Sequence, residues 1–128
     1  MTHEEFIEKY NAIAGRALAF NEKARREGML SLEDDLDKEK VNNRDIFEYG
    51  MLIAIDGTDR DDIEFILSNI IEQEKDENLR RLKTIQKVAV LGIQSGINPR
   101  ILFLLLNSLT GIPLNEDALY ADYGWYYK

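Results

Sequence analysis

Four aspartates, Asp56, Asp59, Asp61 and Asp62, stand within the run IDGTDRDDI. Carboxylates packed so closely raise the question of a calcium loop. The spacing lacks the alternating Asp-x-Asp-x-Asp-Gly order and the distal glutamate that an EF-hand needs. Acidic side chains in a helix's first turn complement the positive end of its dipole, and that explains the run. His3 is the single histidine and lies at the chain's start, where a proton shuttle or metal ligand is poorly held. Cysteine is absent, which excludes a thiol nucleophile, a thiolate metal site and a disulfide. Gly-Ile-Gln-Ser-Gly at 92–96 is followed by no Gly-Lys-Ser/Thr and is not a phosphate loop. The residues assemble no catalytic constellation, no metal set and no cofactor site. The expectation is a non-enzymatic protein.

What remains is surface. KARREGMLSLE, residues 23–33, puts Lys23, Arg25 and Arg26 on one side of Gly28, and Glu33, Asp34 and Asp35 follow on the other. Two opposite patches around one turn suit two helix dipoles: bases at the end of one helix, acids at the start of the next. The same arrangement suits a surface that a charged protein partner reads. A second candidate is the aromatic tail, with Tyr120, Tyr123, Trp125, Tyr126 and Tyr127. It is expected to fold back through Leu119, Tyr120, Trp125 and Tyr126, or to anchor a partner.

The elements that must position these charges follow from periodicity. Thr2 and Glu5 form a capping box. Phe6, Tyr10, Ile13, Ala17, Phe20 and Ala24 then recur every three or four residues, one stripe of a long helix that Gly28 stops. Ser31 is expected to cap a short acidic helix. Asn42 and Asn43 are expected to cap a third, with Ile46, Phe47, Met51, Leu52 and Ile55 inside. It ends at Asp56-Gly57, and Thr58 starts a fourth, whose buried face is Ile63, Ile66, Leu67, Ile70 and Ile71. Glu72 to Lys83 has no Gly or Pro, and Asp76–Arg80 and Glu77–Arg81 are favourably ordered i,i+4 pairs. These features predict one long solvated helix that runs on to Gly96. Asn98-Pro99 opens a last apolar helix, which Gly111 and Pro113 end. The class is all-α, a compact domain of about five helices.

Length and charge set the remaining bounds. A chain of 128 residues makes one domain, 1–128. Net charge is −8, with 3 basic and 11 acidic groups in 41–78 but 6 and 3 in 79–128. An acidic surface repels a phosphate backbone, so nucleic acid is an unsuitable partner. The apolar stretch from Val88 to Ile112 is broken by Gln94, Ser95, Asn98, Pro99 and Arg100 and is too short of pure apolar runs to span a bilayer. The start is polar and acidic, so the chain is expected to be cytoplasmic.

Two segments resemble the MotA family of flagellar stator proteins. KARREGMLSLEDD, continued at Asp56 by DGTDRDDIEFILSNIIE, is similar to that family's cytoplasmic loop. VLGIQSGINPRILFLLLNSL, Val90 to Leu109, is similar to its C-terminal cytoplasmic segment. The two likenesses cover residues 14–72 and 80–109 in the family's order, with 113–128 as a tail. The four transmembrane helices of the family are missing, two before the first segment and two between them. Met1 at the start and no glycine-serine join suggest a natural soluble paralogue. The resemblance implies a motor-associated protein in the cytoplasm or at the inner face of the membrane. Its implied partners are the rotor switch protein FliG or other stator components. It further implies that Arg25 and Glu33, with neighbouring Arg26 and Asp34, face the partner. The alternative expectation is a self-associating helical adaptor outside the motor, with an apolar face on Ile101–Leu106 covered by a second copy.

Overall fold

The computed structural model describes residues 1–113. The expected fold-back of the tail through Leu119, Tyr120, Trp125 and Tyr126 lies outside these residues. Among the described residues the chain is all-helical, with six α-helices and one 3-10 helix and no strand. This bears out the all-α class and raises the helix number above five. No helix among them is long and apolar enough to cross a membrane.

Helix α1, His3–Glu27, begins as the capping box requires: the Glu5 N–H donates to Thr2 Oγ1 at 3.1 Å. The expected stripe is inside, with Ile13 and Ala24 at its half-buried edge. Ile7, Ala14, Leu18 and Asn21 widen the buried face. That width reflects two sets of neighbours, because α1 packs on both later helices at the chain's end. Gly28 stops α1 at φ 90° and ψ 161°, a region that an L side chain rarely adopts. Its N–H still closes the last turn onto the Ala24 carbonyl at 2.8 Å.

Four boundaries differ from expectation. Met29–Asp35 is a 3-10 helix, and Ser31 lies within it instead of capping it. Its hydroxyl turns back and donates to the Gly28 carbonyl at 2.6 Å, and the 3-10 helix has no side-chain cap bond. Asn42 closes a short helix α2, Lys38–Asn42, and Asn43 follows as its C-cap. The cap of α3, Ile46–Ile55, is Asp45, which accepts from the Glu48 N–H at 3.0 Å. Helix α4, Arg60–Glu72, starts two residues after Thr58, with Asp59 at its N-cap position.

The fourth difference is the largest. The segment read as one solvated helix breaks between Glu72 and Glu77, and α5 spans Glu77–Ser95. Asp76 caps α5 by accepting from the Leu79 N–H at 2.9 Å. Glu74 accepts from the N–H groups of Lys75 and Asp76 and from Lys83 Nζ. One carboxylate thus satisfies backbone donors that a continuous helix would have paired internally. Arg81 leaves Glu77 and donates to the Thr110 carbonyl at 3.1 Å.

Helix α5 is the centre of the molecule and packs against α1, α3, α4 and α6, Pro99–Ser108. Leu82, Ile85, Ala89, Val90, Leu91 and Ile93 are its buried side chains. Two glycines set the close approaches. A Cβ on Gly50 of α3 would stand 2.9 Å from Val90 Cγ2, and one on Gly92 of α5 would stand 2.9 Å from Leu102 Cδ1. Gly96 ends α5 in the left-handed region, and Asn98 and Pro99 start α6 as expected. Buried Tyr10 donates its hydroxyl proton to Asn107 Oδ1, a polar link between α1 and α6 inside an otherwise apolar seam.

Candidate protein-interaction surface

The expected basic and acidic residues stand on the two sides of the turn at Gly28. Arg25, Arg26, Glu33 and Asp34 are all exposed. Their roles differ. Arg25 reaches across to α5 and donates to the Gly96 carbonyl at 2.6 Å. Among the described residues Arg26 makes only a long bond, 3.4 Å, to the Glu22 carbonyl one turn back in its own helix. The side chains of Glu33 and Asp34 take no hydrogen bond or ion pair among the described residues. Between the two limbs Leu30 is 74% exposed. Arg25 and Arg26, with Glu22 and Pro99, also line an open hollow of about 300 Å³.

The limbs are held in place by pairings that sequence reasoning missed. Lys23 Nζ pairs with Asp35 Oδ2 at 2.6 Å, which fastens the end of the 3-10 helix to the last turns of α1. That bond to Asp35 raises the Lys23 ammonium above its ordinary value, and the nearby Glu27 and Asp34 charges add to it. Behind it, Arg16 grips Glu48 with two bonds, 2.8 and 2.6 Å, and donates a third at 2.9 Å to the Asp35 carbonyl. Glu48 is only 2% exposed and also accepts from the Asp37 N–H at 2.9 Å. The guanidinium lies over the Phe20 ring at 4.6 Å, and Phe20 meets Phe47 edge to face. A bidentate arginine–carboxylate pair backed by an aromatic face is among the stronger polar arrangements a protein makes. Here it joins α1, the chain at Asp35–Asp37 and α3. The signal in the sequence was a lone charge inside each apolar pattern: Arg16 beside Ala17, Glu48 beside Phe47.

The basic limb is anchored as well. Asn21 donates to the Ile97 carbonyl at 3.1 Å, next to the carbonyl that Arg25 holds. The surface therefore rests on bonds to two other parts of the fold, Glu48 of α3 and the Gly96–Ile97 corner after α5.

Asp56, Asp59, Asp61 and Asp62 stay exposed around the start of α4. Asp59 occupies the cap position without a side-chain bond there, and Asp61 and Asp62 fill the first turn. No group of three or more potential metal-ligating side chains occurs among the described residues. His3 is the first residue of α1 and is exposed. On α6 the expected apolar face divides: Ile101, Leu104 and Leu105 are exposed, whereas Leu102, Phe103 and Leu106 are buried. A helix cannot turn six consecutive residues to one side, so half of that run had to enter the core.

Comparison with known proteins returns no relative: no family model, no curated protein and no solved structure matches the chain.

Proposed function

We propose that this chain is a non-enzymatic binding module whose turn at Gly28 docks on a charged protein, in the setting of the flagellar motor. The carrying observation is the division of charge around the turn. Lys23 and Asp35 neutralise each other, while Arg26, Glu33 and Asp34 remain exposed and bonded weakly or not at all within the described residues. The Lys23–Asp35 pair and the Arg16 bond to the Asp35 carbonyl already hold the backbone of the turn, so that backbone loses little freedom when a partner arrives. Exposed ion pairs contribute about 1 kcal/mol or less each, so such a surface binds and releases quickly and gains orientation more than affinity.

The motor setting rests on the resemblance to MotA, and the partner it implies is FliG or another stator component. Within that reading the tie between Arg25 and Gly96 shifts the basic contact from Arg25 toward Arg26. The test is binding to the charged C-terminal domain of FliG at increasing salt, with Arg26→Glu and Glu33→Lys. Binding that weakens with salt and falls on each reversal supports the proposal. Absence of binding, or indifference to both reversals, removes it.

A further inference from the structure

Helix α6 carries part of its polarity the wrong way round. Ile101, Leu104 and Leu105 stay exposed, at the i, i+3, i+4 spacing of a single helix face. Asn107, by contrast, is buried. Its Oδ1 accepts from the Tyr10 hydroxyl, but its Nδ2 has no partner among the described residues. Turning the amide over would only exchange the two groups, because a phenol hydroxyl both donates and accepts. At the corner before α6 a second buried asparagine, Asn21, donates to the Ile97 carbonyl and leaves its Oδ1 unpaired among those residues. The contact between α1 and the α6 segment is thus half-satisfied near both ends. A buried amide in that state costs stability, whereas water satisfies each of its groups.

Undocking α6 is therefore cheaper than its place beside the core suggests. The outer row is already in water and loses nothing. Opening uncovers Leu102, Phe103 and Leu106, but it hydrates the Asn107 amide. The far end is fastened by Tyr10 to Asn107 and by exposed Arg81 to the Thr110 carbonyl, bonds that water can replace. The near end is held differently. Asn21 and Arg25 grip the carbonyls of Ile97 and Gly96, so the corner after α5 stays fixed while the helix beyond it moves. Helix α6 packs chiefly on α1 and α5, whereas α5 is enclosed by four helices. A helix of 10 residues freed from its neighbours is marginal in water, so its amides exchange once it leaves.

We propose that α6 is a hinged latch, which undocks from α1 and α5 as a unit about the corner at Ile97–Pro99 while the other helices stay folded. Amide hydrogen exchange of the full chain at increasing urea tests this. The amides of the last two turns of α6 are protected together, about tenfold or more below the most protected amides of α5, and depend less steeply on urea. Tyr10→Phe combined with Asn107→Leu keeps the side-chain shapes, removes both polar groups and slows the α6 exchange by about tenfold. If that pair of changes prevents folding, Leu106→Ala leaves a cavity in the same seam and speeds the α6 exchange by about tenfold or more. Three results overturn the proposal. The first is α6 amides that share the rate and urea dependence of α5, so that the helix leaves only on global unfolding. The second is exchange indifferent to urea, which is fraying turn by turn. The third is exchange that a folded seam variant does not move.

Discussion

Two turns of this molecule are rich in charge and use it in opposite ways. Between α4 and α5, Glu74 accepts from two backbone N–H groups and from Lys83, and Asp76 caps α5. Those two acids are occupied inside the fold. After α1, by contrast, Lys23 is paired with Asp35 and Arg25 is tied to Gly96, yet Arg26, Glu33 and Asp34 are left at the surface. The difference separates charge that builds a turn from charge that a turn presents. Net charge does not make that distinction; bonding partners do.

The comparison can be broken most forcefully at the residue that supports the presented charges. Glu48→Ala removes both bonds to Arg16 and leaves the Asp37 N–H without its acceptor. Because Arg16 keeps 40% side-chain exposure, water recovers part of the loss, and we expect a destabilisation of about 2–3 kcal/mol in urea unfolding. A change under half that size would mean that the clasp is incidental. At the other turn, Asp76→Ala deletes the cap of α5 and should cost about 1 kcal/mol by the same measurement. It should leave any binding through the α1 turn untouched.

Glu74 sharpens the comparison through pH. Its bond to Lys83, followed by that to the Asp76 N–H, holds the carboxyl below its ordinary value, with burial opposing. A carboxyl lowered in the folded state stabilises above its unfolded value of about 4.3, and the contribution is lost as pH falls through the lowered folded value. Acid titration of stability should therefore show a component in that window that Glu74→Gln removes. If the two acid profiles coincide, Glu74 does not hold the turn.

The smallest effect on stability is expected where the effect on binding is expected to be clearest. Arg26→Glu and Glu33→Lys should each shift unfolding by no more than about 0.5 kcal/mol, because neither side chain supports the fold. A large loss of stability from either would place that residue with Glu74, among the charges that build.

Much of the fold was legible because its signals are local. Thr2 with Glu5, Gly28, Gly96 and Asn98-Pro99 each fix a boundary through backbone geometry or a bond spanning a few residues. The break at Glu74 was not legible, because Asp76 fits equally well as the i,i+4 partner of Arg80 and as a cap. The choice falls to the cap once Glu74, with help from Lys83, takes the neighbouring N–H groups. Ser31 misled for a related reason, since its hydroxyl can donate backward as readily as it accepts forward. Sequence named the exposed charges of the candidate surface, but not the pairings that support the turn between them. Arg16 meets Glu48 across 32 residues and Arg25 meets Gly96 across 71, and no local pattern records either pairing.

Those long-range ties also have a mechanical meaning. Asn21 and Arg25 lie one turn apart on α1 and hold two successive carbonyls, Ile97 and Gly96, at the corner where α5 passes into α6. Two attachments on one rod resist rotation as well as separation, which a single one cannot do. A sideways load on the basic end of α1 therefore enters the α5–α6 corner directly and reaches the centre of the molecule through α5. The turn at Gly28 works as a bracket, and the flexibility of its glycine is confined to shaping the chain.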